Sequence, residues 1–167
     1  SGEDREKLKK LNERMSMLSL QLGENMLAET NDFVLLLETE DDLAGLPESV
    51  REAKADAAKK AGVDALGIVT LHNPSWIPFL QHSTRRDLRE KVFTAYFMRG
   101  DNDNENDNKE LFAELMQLRL EMAQLFGYNN YAEYFQAIQM AEKPSNVYDF
   151  LYQVWEPALA RATQERD

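Results

Sequence analysis

The sequence contains no cysteine, which excludes disulfide bonds, thiolate metal ligands and a cysteine nucleophile from this chain. Long hydrophobic runs are also missing, because no segment approaches the roughly 18 to 20 apolar residues that a membrane-spanning helix requires. Basic residues are scarce: 19 Lys and Arg stand against 30 Asp and Glu, a net charge of −11. That charge disfavours nucleic acid as a ligand. We therefore expect a soluble, cytoplasmic protein with no membrane anchor and no nucleic-acid partner.

Glycine and proline are too few, at 7 and 5 in 167 residues, for a low-complexity or disordered chain. Hydrophobic residues make up 43% of the sequence and aromatic residues 10%, enough to build one core. We therefore predict a single helical region over residues 1–167. The Ser1-Gly2 start predicts a processed or tag-derived end, and the absence of a stop signal in 158–167 predicts that the chain is part of something longer.

Apolar residues recur at steps of three and four through most of the chain, the period of amphipathic helices. The predicted helices cover residues 3–30, 48–61, 83 or 84 to 99, 108–126, 131–141, and a last helix that opens at 144–146 and continues through 158–167. Small side chains favour close packing of the second helix, with a predicted inner face of Val50, Ala53, Ala57, Ala58 and Ala61.

Two short apolar segments, 33–37 and 66–71, are better described as strands that pair in a small sheet. Residues 72–78 contain two prolines and are predicted to form a turn with exposed aromatic side chains. The predicted fold class is therefore mainly α: a multi-helix array with a small two-stranded β element, as a fragment of a larger helical protein.

Residues 101–108 consist only of Asp, Asn and Glu, which predicts a solvated acidic loop between two helices. The segment also invites comparison with the calcium loop of an EF-hand. Four acidic residues fall at its first, third, fifth and twelfth positions: Asp103, Glu105, Asp107 and Glu114. The match is incomplete, since Asn108 replaces the glycine of the sixth position and Glu110 the apolar residue of the eighth. A solvated loop is favoured, with calcium binding as the alternative.

Catalytic motifs are not found in the sequence: HExxH, GxSxG, the P-loop and GxGxxG are all missing. The two histidines, His72 and His82, lie ten residues apart without a third ligand fixed by spacing, so ordinary polar roles are favoured over zinc binding. A cluster of aromatic residues predicts helix–helix core more strongly than a ligand groove: Tyr128, Tyr131, Tyr134, Phe135, Tyr148, Phe150, Tyr152 and Trp155. No catalytic, metal or cofactor-binding residue is predicted in this chain.

Several segments, taken together and in order, resemble the N-terminal helical region of the thimet-oligopeptidase family of zinc metallopeptidases. The carriers are 11–30 (LNERMSMLSLQLGENMLAET), 43–47 (LAGLP), 70–100 (TLHNPSWIPFLQHSTRRDLREKVFTAYFMRG), 101–108 (DNDNENDN), 118–133 (LRLEMAQLFGYNNYAE) and 140–160 (MAEKPSNVYDFLYQVWEPALA). The likeness spans nearly the whole chain and is greatest to the bacterial dipeptidyl carboxypeptidase branch.

This resemblance implies a mostly helical zinc peptidase whose deep channel admits short peptides, the branch in question removing dipeptides from their C-termini. In the family, two histidines of HExxH and a downstream glutamate hold the zinc, and none of these motifs occurs in residues 1–167. The resemblance therefore implies that this chain forms one wall of the channel, with the remainder of the same polypeptide as its partner and short peptides as substrates. The alternatives are a free-standing helical module that binds a protein or peptide, and a calcium-responsive module.

Overall fold

The computed structural model describes residues 2–166, which form seven α-helices, one 3-10 helix and one two-stranded sheet. The elements are α1 (Gly2–Asp32), β1 (Val34–Leu37), the 3-10 helix (Glu40–Leu43), α2 (Glu48–Ala61), β2 (Gly67–Thr70), α3 (Asn73–His82), α4 (Arg86–Phe97), α5 (Lys109–Leu125), α6 (Tyr131–Gln136) and α7 (Pro144–Arg166). The predicted fold class, mainly α with a small two-stranded β element, is confirmed.

The chain divides into two compact units. The terminal unit contains the described residues of Ser1–Leu18 and Ala113–Asp167, and the central unit is Ser19–Phe112. Whether residues 1–167 act as a single region stays a prediction.

The central unit is built on the predicted pairing of the two strands, which is confirmed. β1 and β2 are antiparallel, with Leu35 opposite Val69 and Leu36 opposite Ile68. Because successive side chains point to opposite faces of a strand, one face of the pair is turned inward. That face joins residues from the helices in one core: Leu37, Leu43, Leu46, Val69, Leu71, Phe79, Leu88 and Val92.

Helix α2 has the bounds that the sequence predicts and ends at Gly62, whose φ of 68° is left-handed. Its predicted inner face is wrong in part, because Ala53 and Ala61 are exposed. The buried residues of α2 are instead Lys54 and Ala58, one helical turn apart. A lysine on this face is tolerated because its amine finds oxygen partners inside the protein, as described below.

The turn predicted at 72–78 is wrong, because α3 begins at Asn73 and runs through this segment. Pro74 lies in the first turn of α3, where a proline costs no intrahelical hydrogen bond and its fixed φ suits the helix. Pro78 lies inside the helix. The aromatic side chain of this segment, Trp76, is half-buried and packs on Tyr96 of α4 with ring centroids 4.1 Å apart.

Four predicted helix bounds are also corrected. Helix α1 ends at Asp32, two residues after the predicted 30. Helix α4 begins at Arg86, because Ser83 ends α3 instead: its backbone N–H donates to the Phe79 carbonyl, and its hydroxyl accepts from the Arg85 amide. Helix α4 ends at Phe97, two residues before the predicted 99. Helix α6 ends at Gln136, five residues before the predicted 141.

The terminal unit has a small core and a long exposed helix. Leu11 and Leu18 of α1 are buried, as are Leu115, Met122 and Ala123 of α5. Helix α7 begins at Pro144 as predicted, contains Pro157 and continues to Arg166, while Asp167 lies outside the described residues. None of the residues 144–166 that form α7 is buried.

The aromatic cluster is therefore not the helix–helix core that the sequence favours. Tyr128, Tyr131 and Tyr134 are half-buried, and Tyr134 stacks on Phe126 with centroids 5.2 Å apart. The remaining members of the predicted cluster are exposed: Phe135, Tyr148, Phe150, Tyr152 and Trp155. The helical spacing of these rings is real, but no described element covers them, so the prediction of a core is wrong for them.

Candidate functional site

The two histidines lie at opposite ends of α3. His72 is the residue before the helix and His82 is its last residue. At a rise of 1.5 Å per residue, ten residues separate them by about 15 Å along the axis, which is too far for one metal ion. Within residues 2–166 the structure has no group of three or more His, Cys, Asp or Glu side chains that could hold a metal ion. The described part of this chain therefore does not fit a zinc centre.

The acidic loop contains its own cation. The ammonium group of Lys109 lies 2.7 Å from Asp101 Oδ1, 2.9 Å from Asp103 Oδ1 and 2.6 Å from Asp107 Oδ2. The Lys109 side chain and its backbone amide, as hydrogen-bond donors, lower the pKa of Asp107 to about 2. Two carboxylates that the EF-hand comparison assigns to calcium are thus bound to a protein cation.

Glu114, which falls at the twelfth position of that comparison, is paired as well. Its two carboxylate oxygens accept hydrogen bonds from Nε and Nη2 of Arg14, each at 2.6 Å. This bidentate arrangement is the preferred geometry between a guanidinium and a carboxylate. The loop geometry therefore favours internal ion pairs over a calcium site.

The acidic loop is held to α1 by a glutamate that the sequence analysis did not single out. The buried Glu29 carboxylate accepts hydrogen bonds from the Gly100 amide at 2.5 Å, from Asn102 Nδ2 at 3.0 Å and from Asn104 Nδ2 at 2.8 Å. Burial by itself raises the pKa of Glu29, but these hydrogen bonds outweigh it and hold the pKa below its ordinary value. The loop is exposed to solvent at its tip and fixed at its base.

A second polar contact holds the end of the loop. Asn108 Nδ2 donates to the Leu22 carbonyl at 3.1 Å, and its Oδ1 accepts from Asn25 Nδ2 at 2.9 Å. Gly100 has a left-handed φ of 78°, and a Cβ there would lie 2.7 Å from Asn108 Nδ2. The spacing of α1 contained a signal for this site. Asn25 and Glu29 follow the buried Leu18 by seven and eleven residues, which is two and three helical turns, so they lie on the same buried face of the helix.

The sequence analysis also did not single out Lys54, a residue that links three elements of the central unit. It is only 3% exposed, and its Nζ donates to the Ser75 carbonyl at 2.5 Å and to Ser75 Oγ at 2.9 Å. The same hydroxyl accepts a hydrogen bond from the Thr70 amide at 2.9 Å. Burial lowers the pKa of Lys54 to about 8. This contact ties α2 to β2 and α3.

Helix α7 carries the largest group of exposed apolar side chains on one element. Residues Leu151, Tyr152, Val154, Trp155 and Ala158, here called the α7 face, line a shallow apolar depression of about 310 Å³. Trp155 is 60% exposed and Tyr152 is 66% exposed. Within the α7 face, Val154, Trp155 and Ala158 follow Leu151 by three, four and seven residues, a spacing that puts these side chains along one side of the helix. A contiguous apolar surface of this kind is typical of an interaction site.

The comparison with known families decides the identity of the chain. Residues 79–167, more than half of the sequence, match the profile of peptidase family M3. This chain belongs to that family. The resemblance to the thimet-oligopeptidase family that the sequence segments carry is thereby confirmed. The proteins of family M3 are metallopeptidases.

The relatives of this M3 chain are much longer than the chain itself. It is 37% identical over 156 residues to oligopeptidase A of Haemophilus influenzae, covering 91% of this chain and 23% of that protein. It is 31% identical over 162 residues to dipeptidyl carboxypeptidase of Escherichia coli, covering 97% and 24% respectively. It is 35% identical to the probable cytosolic oligopeptidase A of Arabidopsis thaliana, covering 93% and 23%. The chain thus spans about a quarter of the length of these relatives.

The M3 match begins at Phe79 in α3 and includes α4, α5, α6 and α7 with its exposed face. The described helices of this M3 chain include none that is long and apolar enough to cross a membrane.

Proposed function

We propose that this chain is the non-catalytic N-terminal part of a zinc-dependent peptidyl-dipeptidase that removes C-terminal dipeptides from short peptides. Residues 1–167 form one wall of the substrate channel, and they contribute no catalytic, metal or cofactor-binding residue. The observation that carries the proposal is the M3 match over 79–167 in a sequence without HExxH. Relatives about four times as long leave room for the zinc ligands outside this chain.

The proposed partner is the remainder of the same polypeptide, seated on the α7 face. The support is physical: a helix of 23 residues with no buried side chain has little packing to stabilise it, although packing is what stabilises most protein helices. Tyr and Trp rings each bury about 150–250 Å² when covered, so this face offers a large apolar contact. The three aspartates of the acidic loop, by contrast, already pair with Lys109.

Enzyme activity is tested on the longer reading frame that contains this chain. The expressed product should bind one zinc ion and release C-terminal dipeptides from a short peptide with a free carboxyl end, as followed by mass spectrometry. A chelator should abolish the release. The 167-residue chain alone should bind no stoichiometric zinc and release no dipeptide, and either activity in the isolated chain would contradict the proposal.

A second candidate is an oligopeptidase that cuts internal bonds of short peptides. It is favoured by the higher identity to oligopeptidase A, 37% against 31% for dipeptidyl carboxypeptidase. A peptide with a blocked, amidated C-terminus separates the two activities. Internal cleavage of the blocked peptide would replace dipeptide release as the function, whereas cleavage of only the free acid, two residues from its end, supports the first proposal.

A substitution in the α7 face tests whether the rest of the longer protein packs on it. Trp155→Ala should lower the melting temperature of the longer protein, because it removes an aromatic contact, yet leave the 167-residue chain almost unchanged. Met140→Ala is the matched control, since this exposed apolar side chain lies outside the α7 face. Equal effects of Trp155→Ala in both proteins would favour the rival, a free-standing helical module that binds another partner.

We also propose a cytoplasmic location. The absence of cysteine and the similarity to a relative described as probably cytosolic support it. Cell fractionation with an antibody against this chain is the measurement, and recovery in a membrane or secreted fraction would contradict it.

A further inference from the structure

Strand β1 is paired along one edge only. Its single neighbour in the described sheet is β2, so the other edge of β1 has no strand beside it. An open edge of this kind presents backbone N–H and C=O groups to which a further strand can bond. Two of the four residues of β1, Val34 and Leu36, are exposed to solvent at 44% and 40%.

The amide of Thr70 shows which backbone groups of β1 point to the open edge. This N–H donates to Ser75 Oγ at 2.9 Å, so it points away from β1. Thr70 lies opposite Val34, and these two residues are therefore a non-hydrogen-bonded pair of the antiparallel ladder. Such pairs alternate with hydrogen-bonded pairs, so Leu36 and Ile68 are of the same kind. The N–H and C=O groups of Val34 and Leu36 consequently point outward.

These outward groups have no partner within residues 2–166. No backbone hydrogen bond reaches the N–H or C=O of Val34 or Leu36 from another element. The amide of Glu38, the next outward position, is already used, because it donates to Asp42 Oδ2 at 3.0 Å. Two donor–acceptor sets therefore remain for a ligand, about 7 Å apart along the strand.

The side chains at the open edge are apolar although they are exposed. Val34 and Leu36 alternate with Leu37, a core residue, and so lie on the outer face of the sheet. A strand added at this edge would bring its own side chains to about 4.5–5.5 Å from these two, measured between Cβ atoms. Apolar β-branched residues suit the positions opposite them.

Acidic residues flank this apolar stretch on both sides. Asp32 ends the helix before β1 and Glu38 follows the strand, and both are exposed. Asp32 also lines a depression of about 430 Å³ together with Glu29 and Glu105, and none of its lining residues is basic. The charge at the ends of β1 therefore favours a cationic partner.

The same charges disfavour a second copy of this chain as the occupant. Two β1 strands that pair edge to edge and antiparallel would place Val34 of one copy opposite Leu36 of the other. In that register, Asp32 of each copy lies opposite Glu38 of the other. Like charges directly opposite each other destabilise a strand pair, and charged residues at an edge are a common device against self-association.

We propose that the open edge of β1 binds an extended peptide by antiparallel strand addition. Apolar residues of the peptide lie opposite Val34 and Leu36, and a basic residue at each end lies beside Asp32 or Glu38. The two outward N–H groups donate to peptide carbonyls, and the two outward carbonyls accept from peptide amides. The inference goes beyond the proposed function, because binding at this edge involves no cleavage.

The register of the proposed complex defines the probe, acetyl-Lys-Thr-Val-Thr-Val-Thr-Lys-amide. Its valines lie opposite Val34 and Leu36, and its lysines lie opposite Asp32 and Glu38. The measurement is a titration of the 167-residue chain, followed by its backbone amide signals in the ¹H–¹⁵N NMR spectrum. The signals of Val34 and Leu36 should shift in a saturable way and more than that of Leu35, whose amide points to β2. Equal shifts of all three, or none, would overturn the proposal.

N-methylated peptides separate main-chain pairing from general stickiness. Methyl groups on the two valine amides remove the donors that point to β1, and they should weaken binding at least about tenfold. Methyl groups on the two central threonine amides, which point to solvent, are the matched control and should change binding little. An equal loss with both peptides would contradict strand addition.

Substitution of Val34 removes a donor from the protein side. Val34→Pro deletes an outward N–H while sparing the ladder to β2, a place where edge strands tolerate proline. It should weaken binding of the probe at least about fivefold, whereas Val34→Thr keeps the N–H and should bind normally. Unchanged binding by a folded Val34→Pro would contradict the proposal. If that variant does not fold, the N-methylated peptides decide on the natural chain.

The charge of the two ends is tested with a paired substitution. Asp32→Asn with Glu38→Gln should weaken binding of the lysine-ended probe at low salt, and a glutamate-ended peptide should then bind about as well. Glu52→Gln with Asp56→Asn, exposed on α2 of the same unit, removes the same charge and should preserve the preference for lysine. Loss of the preference in both variants would reduce it to an effect of net charge and overturn the assigned ends.

Other occupants of the edge give different results. A dimer in sedimentation that Val34→Pro dissociates would assign the edge to a second copy and overturn the proposal. Slow amide exchange of Val34 and Leu36 in the longer protein without peptide would show that the rest of the polypeptide covers the edge, with the same consequence. Because no assay here measures cleavage, failure of strand addition leaves the dipeptide-release proposal standing.

Discussion

The carboxylate of Glu29 accepts a hydrogen bond from the backbone amide of Gly100, which lies 71 residues later in the chain. Asn102 and Asn104 donate to the same carboxylate, so one buried side chain fixes the base of the acidic loop. Glu29→Gln should lower the free energy of unfolding by about 1–3 kcal/mol, because at least one buried donor loses its charged acceptor. Urea denaturation at neutral pH is the measurement.

The same contact predicts a pH dependence. The pKa of folded Glu29 is lower than in the unfolded chain, so its contribution to stability is present above the unfolded pKa. It is lost as the pH falls through the lowered pKa of the folded state. The stability difference between the natural protein and Glu29→Gln should therefore shrink in acid. Glu24→Gln, at an exposed position of the same helix, should change stability by less than about 0.5 kcal/mol at any pH.

Lys54 predicts a pH dependence of the same sense, but in the alkaline range. Its pKa is about 8 in the folded protein and near 10.5 when unperturbed, so between these values the unfolded chain binds more protons than the folded one. The free energy of unfolding should rise with pH across this window, by at most about 3 kcal/mol from this residue. Lys54→Met should remove that rise, and Lys59→Met, exposed on the same helix, should preserve it. Parallel pH profiles for the natural protein and Lys54→Met would contradict the assignment.

Gly67 is required by the close approach of β2 to α2. A Cβ at this position would lie 2.7 Å from the Cβ of Lys54, which sits on helix backbone that cannot easily move. Gly67→Ala should therefore destabilise the protein by about 1–3 kcal/mol, as other overpacked substitutions do. Thermal unfolding followed by circular dichroism measures the change.

Gly23 provides the matched control for that substitution. It lies inside α1, and a Cβ there would meet nothing within 4 Å. Gly23→Ala should stabilise the protein by about 0.5–1 kcal/mol, because alanine restricts the unfolded chain and favours the helix. Opposite signs for the two glycines are expected, and destabilisation by both would show that helix α1 does not extend through residue 23.

Calcium should leave the melting temperature unchanged. The ammonium group of Lys109 already lies against Asp101, Asp103 and Asp107, so a divalent ion would have to displace it. A rise in melting temperature with calcium that Asp103→Ala abolishes would refute this. Lys109→Met leaves three carboxylates without their cation and raises the pKa of Asp107 towards its ordinary value. That variant should be less stable than the natural protein at neutral pH and recover at acid pH.

The sequence predicted the elements whose signals are local. The 14 residues of α2 have a clear period and a stop at Gly62, and both strands are short apolar runs bounded by turn residues. The helix α3 was missed because its two prolines also suit a turn. Pro74 is compatible with a helix because it lies in the first turn. Composition alone does not show where that helix starts, so the sequence could not distinguish this position from a turn.

The contacts of the site could be predicted much less well. Glu29 and Lys54 look like ordinary charged helix residues, and their partners lie 71 and 21 residues away, so only the folded chain brings the pairs together. The composition of residues 101–108 indicates a solvated acidic loop, but the position of Lys109 among its carboxylates depends on the backbone path. The aromatic residues of α7 have the helical spacing that is typical of core residues. That spacing shows only that the side chains lie on one face of the helix, and it does not show whether another element packs on that face.

Pro157 determines where local unfolding of α7 should stop. Proline has no amide hydrogen, so the carbonyl of Gln153 lacks its usual donor within the helix. The hydrogen-bond ladder is thus interrupted fourteen positions into a 23-residue helix, between a longer N-terminal and a shorter C-terminal part. Fraying that starts at Arg166 should stop near Pro157, and amide hydrogen exchange should divide the helix there into a fast and a slow segment.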